Sequence, residues 1–189
     1  MRKAARALAW AAVLALALVS LAGPAPRPAA PAPLLLLGPF ADLWAEIAWL
    51  RFQAALRRGE EARALELAES ALALDPRSSE GWRMLAGHLV FDLASRERTP
   101  DLARRRACFQ AGLAVLARGV ERSARPEELE LFRGLVLLAK AEGDPELDPG
   151  GAQALKRSAA DAFEHAARLG SEQAKELVPQ VRADAERRE

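Results

Sequence analysis

Few side chains in this sequence could carry acid–base, nucleophilic or metal chemistry. His88 and His165 are its only histidines and Cys108 its only cysteine. Neither histidine has a second His or a Cys at the short spacings that build zinc sites, so no zinc centre is expected. Cys108 sits between Ala107 and Phe109 in an apolar helical pattern, where a free thiol behaves as a small buried hydrophobe. Asp144, Glu146 and Asp148 alternate like the first ligands of a calcium loop. Pro149, however, stands where such a loop needs glycine, and Leu155 where it needs the closing glutamate, so this turn reads as a solvated acidic loop. The sequence holds no glycine-rich phosphate loop and no Gly-x-Ser-x-Gly elbow. A non-enzymatic protein with no metal and no cofactor is the expectation.

The elements that would position these residues are helices. Hydrophobic residues make up 51% of the 189 and charged residues 28%, dominated by Ala, Leu, Arg and Glu, while tyrosine is absent. That is a helix-forming mixture with too few β-branched and aromatic runs for strands, and it predicts an all-α fold. The formal net charge of +1 includes Arg2, Lys3 and Arg6. Without them 24 basic side chains face 26 acidic ones, which leaves no broad positive field for nucleic acid. The one basic cluster, Arg96, Arg98, Arg104, Arg105 and Arg106, reads as a solvated loop and helix start, with a phosphate or acidic-peptide site as its alternative.

Three domains are expected: residues 1–22, 23–40 and 41–189. Residues 1–22 have a basic start and an apolar run from Ala7, the layout of a signal peptide or of an uncleaved membrane anchor. Either way the positive residues should stay on the cytoplasmic side, placing the rest of the chain outside the cytoplasm, exported or anchored to the inner membrane. Residues 23–33 contain five prolines and form a semi-stiff linker. Residues 34–37 are four consecutive leucines before Gly38-Pro39, an apolar patch suited to covering the open edge of the first helical repeat.

Helices are predicted over 41–58, from Ala64 towards Asp75-Pro76, over 82–93, over 102–117, from Pro126 to about Ala141, up to Gly170, and from a Ser171 cap to about Arg187. Ile47, Ala48, Phe52 and Ala55 should face the core of the first, and Phe132, Leu135, Val136 and Ala139 that of the fifth. Gly59 marks the first turn, and residues 119–125 a loop. Ala64 and Ala71, Ala107 and Ala114, and Ala159 and Ala166 are each seven apart, so three helices of one type recur, with offsets of 43 and 52 residues.

Gly59 at the turn, Ala64, Ala68 and Ala71 along the second helix, Leu74-Asp75-Pro76 at its end, then Trp82, Leu85 and Ala86 resemble a tetratricopeptide repeat. The segment Ala162 to Ala174 is similar to the related Sel1 repeats. Arg51 departs from the pattern, falling where the family has a large apolar residue. The resemblance implies an α-α solenoid of about three helix pairs plus a C-terminal capping helix, preceded by the N-terminal hydrophobic helix and Pro-rich linker. It also implies a concave groove holding a peptide or helix of a bacterial envelope protein. The contact stripe implied is Glu46, Trp49, Gln53 and Arg57, continuing through Glu80, Arg83 and Phe91 to Arg133, with Trp49 as an exposed anchor. The alternative is a self-associating spacer on the membrane surface, which would show an apolar patch on its outer face.

Overall fold

The computed structural model describes residues 40–186. The signal or anchor reading of residues 1–22 and nearly all of the Pro-rich linker lie outside them. The described chain runs α1 (Ala41–Arg57), α2 (Glu61–Leu74), α3 (Ser79–Gly87), a π-helical segment (His88–Leu93), α4 (Leu102–Arg122), α5 (Pro126–Gly143), a 3₁₀ turn (Pro145–Leu147), α6 (Gly151–Arg168) and α7 (Glu172–Glu186). No strand occurs among the described residues. Each helix packs on the next in sequence, and α3 also packs on α5.

Local chemistry explains most of the boundaries. Gly59 takes a left-handed backbone (φ 71°), which reverses the chain between α1 and α2 at no Cβ cost. Ser78 caps α3, its hydroxyl accepting the Gly81 N–H at 3.1 Å, so this helix opens three residues before Trp82 rather than at it. The indole N–H of Trp82 reaches back to the Pro76 carbonyl at 2.9 Å. Asp101 caps α4 through the Arg104 N–H at 2.8 Å, and Ser171 precedes α7, accepting the Ala174 N–H at 3.2 Å.

Two expectations are corrected. The helix predicted to stop at Ala117 continues to Arg122, and Gly119, expected to start a loop, lies buried inside it. A Cβ there would lie 2.7 Å from Trp82 Cγ and 2.8 Å from Leu129 Cδ1, so this glycine marks a close helix contact rather than a chain break. The face of α5 is also rotated from the one expected. Val136 is buried and Phe132 packs at the core's margin, but Leu135 and Ala139 are exposed, while Leu129, Leu137 and Ala141 are buried. Of the alanine pairs, the first and third are buried, whereas Ala107 and Ala114 are only half-buried. In α4 the close approach falls instead at Gly112, where a Cβ would sit 2.4 Å from Val90 Cγ2.

The same device joins the last pair. Gly134 of α5 lies under the fully buried Phe163 ring of α6, and a Cβ at Gly134 would meet three ring atoms at 2.7–2.8 Å. A close-packed interior cannot absorb such an overlap without displacing the ring. Gly134→Ala should therefore lower stability by about 1–3 kcal/mol, seen as a fall in the thermal midpoint. Gly143→Ala, with nothing within 4 Å of the added methyl, should be neutral or stabilising by up to ~1 kcal/mol.

Candidate functional site

The eight residues of the expected contact stripe fall on α1, α3, the π segment and α5. Glu46, Gln53 and Arg57 are exposed on α1. On α3, Glu80 is exposed and half-buried Arg83 forms an ion pair with it. Phe91 is 44% exposed, with Lys140 Nζ 5.5 Å from its ring centroid. Arg133, half-buried on α5, points a guanidinium nitrogen to within 3.6 Å of Glu130.

Trp49 departs from this stripe, and its expected role as an exposed anchor is corrected. It is 8% exposed and meets Phe52 edge-to-face at a centroid distance of 5.4 Å. A Cβ on Gly81 would lie 2.8 Å from its indole, so Trp49 lies directly against the backbone of α3. At 100° per residue Trp49 is on the buried side of α1 with Ala45, Ala48, Phe52 and Ala55, while Ile47 is only half-buried. Arg51 is fully on the outside.

The basic cluster and the acidic turn, read separately as solvated segments, meet each other. Asp144 is 6% exposed. It accepts a hydrogen bond from Arg96 Nε at 3.0 Å and faces the buried Arg105 at 3.4 Å. Glu146 pairs with Arg105, and its backbone carbonyl accepts from Arg106 Nε at 2.8 Å. Arg98 pairs with Glu61 of α2. Burial pushes the Lys140 ammonium below its ordinary range, while nearby Asp144 acts in the opposite direction. Cys108 is buried and its thiol is pushed up to about 12, mainly by desolvation, with Glu61 adding to it. Such a thiol holds its proton at neutral pH and is a poor nucleophile.

His88 and His165, far apart in sequence, also acquire partners. His88, the first residue of the π segment, is buried, with Nδ1 2.8 Å from Asp92 and its ring edge-on to Phe52. His165 Nδ1 lies 3.1 Å from Glu130 Oε1, joining α6 to α5. Glu130 itself is 3% exposed, and its second oxygen has no hydrogen-bond partner. Around this pair, Arg133, Ser158, Asp161 and Arg168 line a shallow cleft of about 290 Å³. A larger polar cleft of about 520 Å³ lies between Glu61, Leu93, Arg98, Thr99, Asp101 and Arg104. Sequence reasoning missed the Glu130–His165 contact because neither residue carries a local spacing signal. The Arg105–Asp144 contact was half-visible, as two oppositely charged clusters. Among the described residues, no group of three or more His, Cys, Asp or Glu is placed to hold a metal ion. No described helix is long and apolar enough to cross a membrane.

Compared with known protein families, with curated proteins and with solved structures, the chain matches none.

These placements set two expected outcomes. Trp49→Ala should cost about 3–5 kcal/mol by chemical denaturation, as for a large core truncation, whereas Gln53→Ala, on the exposed side, should stay within about 0.5 kcal/mol. Asp144→Ala should cost about 1–3 kcal/mol, because the buried Arg105 loses one of its two carboxylate partners and keeps only Glu146. A loss below about 1 kcal/mol in the same measurement would reduce the pair to a surface contact.

Proposed function

We propose that this protein is a non-enzymatic interaction scaffold, a tetratricopeptide-like stack of three helix pairs capped by α7. In this reading the pairs are α1 with α2, α3 with α4 and α5 with α6. The first helices of successive pairs lie side by side and offer a surface to a peptide or helix of another envelope protein. The observation that carries it is the contact between first helices: α3 packs on α5, and Trp49 of α1 rests on Gly81 of α3. A chain whose helices met only their sequence neighbours would have no such continuous row. On that row Glu46, Gln53, Arg57, Glu80, Arg83, Phe91 and Arg133 supply mixed charge around one exposed aromatic, a composition suited to a polar peptide with an apolar anchor. Trp49 is replaced as the aromatic contact by Phe91. Residues 1–22 would direct or anchor this domain outside the cytoplasm.

A second reading, self-association on the membrane surface, is favoured by one feature. Phe40, Leu43, Trp44 and Leu50 are exposed together at α1.

The scaffold reading is tested by replacing Glu80, Arg83 and Phe91 with alanine in the full chain and crosslinking it in membranes. Recovery of the partner captured by the unaltered chain should fall about tenfold or more, with helical circular dichroism unchanged. Undiminished recovery removes the contact stripe.

A further inference from the structure

Four of the seven large apolar side chains exposed among the described residues belong to one edge of the fold: Phe40 at 61%, Leu43 at 56%, Trp44 at 43% and Leu50 at 64%. With half-buried Ile47 they recur three and four apart on one side of α1, away from the buried side that packs on α2. At roughly 150–250 Å² per large side chain, these exposures leave on the order of 400 Å² of apolar surface. A stable interface takes ~800 Å² from each partner, of which about 56–65% is apolar, or on the order of 450–520 Å². The four side chains and Ile47 come close to that amount. The polar remainder stands around them in Asp42, Glu46, Arg51 and Arg57, all exposed.

The order of those charges selects the occupant. Both acidic residues of α1, Asp42 and Glu46, lie in its first half, and both basic ones, Arg51 and Arg57, in its second. A second α1 laid antiparallel across the stripe sets acidic half against basic half at both ends, whereas a parallel copy sets like against like. One surface meeting itself across a two-fold axis is also what closes a dimer. A bilayer fits less well. A helix that lies on a membrane carries a polar face rich in Lys and Arg, and the polar face of α1 is mixed, with Asp42, Glu46, Gln53 and Arg57.

We propose that α1 is a dimerisation helix, packing antiparallel on α1 of a second copy through Phe40, Leu43, Trp44, Ile47 and Leu50, with the two-fold axis beside Ile47. Leu43 of one chain then faces Leu50 of the other, while the two Leu43 positions stand about 10 Å apart along the helix axis. Arg51, which is exposed on this same side of α1, acquires a role there: its stem covers apolar surface and its guanidinium comes beside Trp44 of the second copy. The inference rests on the self-association reading and gives it a face and a direction. The scaffold's contact stripe contains none of the five apolar residues and is tested separately.

The test uses the full chain in detergent micelles. Sedimentation equilibrium should show a dimer, and Leu43→Glu with Leu50→Glu, both at exposed positions, should raise its dissociation constant about tenfold or more, with helical circular dichroism unchanged. A monomer in the unaltered chain overturns the self-association reading and this proposal together. A dimer that the two substitutions leave intact overturns this face alone. The direction is read with two differently tagged chains, one Leu43→Cys and one Leu50→Cys, mixed and mildly oxidised. The mixed disulfide should form at least about tenfold faster than either like pair, because only the mixed positions come within bridging distance. Native Cys108 is buried and stays out of the reaction. Faster like pairs mean a parallel dimer and equal rates mean chance collision; both overturn the proposal. So does quenching of a fluorescent label on Leu43→Cys by lipid-borne quenchers in reconstituted vesicles, which gives the stripe to the bilayer.

Discussion

The helices of this protein sit as close together as they do because large side chains lie directly on bare glycine backbone. Trp49 rests on Gly81, Trp82 on Gly119, Val90 on Gly112 and Phe163 on Gly134. Each contact joins two elements, and in each the space a Cβ would fill is taken by the partner's ring or methyl group. A glycine inside a helix costs about 1 kcal/mol in propensity. The burial of an aromatic side chain, about 1.5–3 kcal/mol, more than offsets it. The alanines of α2 and α6 assist in the same way with one more carbon: Ala64, Ala68, Ala71, Ala159 and Ala166 are all buried.

Charge does a second kind of joining. The loop after the π segment and the start of α4 present arginines, and the turn after α5 presents Asp144 and Glu146, so segments with no hydrophobic interior of their own are pinned across the fold. Arg105 and Asp144 are both nearly excluded from water, and each is compensated twice, Arg105 by Asp144 and Glu146 and Asp144 by Arg105 and Arg96. Arg106 adds a bond to the Glu146 carbonyl, satisfying backbone in a stretch that a 3₁₀ turn leaves short of partners.

Both histidines meet carboxylates and the thiol is buried, and the scaffold proposed above would meet its partner through α1, α3, the π segment and α5. Helix α1 is the element where these themes divide most sharply. One side carries the buried row that includes Trp49, one carries Glu46, Gln53 and Arg57, and one carries the exposed Leu43, Trp44 and Leu50 together with Arg51.

By itself the sequence determined the helical class, the bounds of α1 and the start of α7 nearly to the residue, the turn at Gly59, and the burial of Phe52, Ala64, Ala68 and Cys108. These arise from the 3.6-residue period, from capping and from glycine conformation, all local in the chain. Tertiary structure alone decided whether Trp49 faces solvent, whether Gly119 ends a helix or receives Trp82, which side of α5 is buried, and whether Asp144 is wet or paired with Arg105. Those outcomes depend on what lies across a helix contact many residues away. Periodicity orders residues around a helix, but it cannot say which of two adjacent sides the neighbouring backbone will approach.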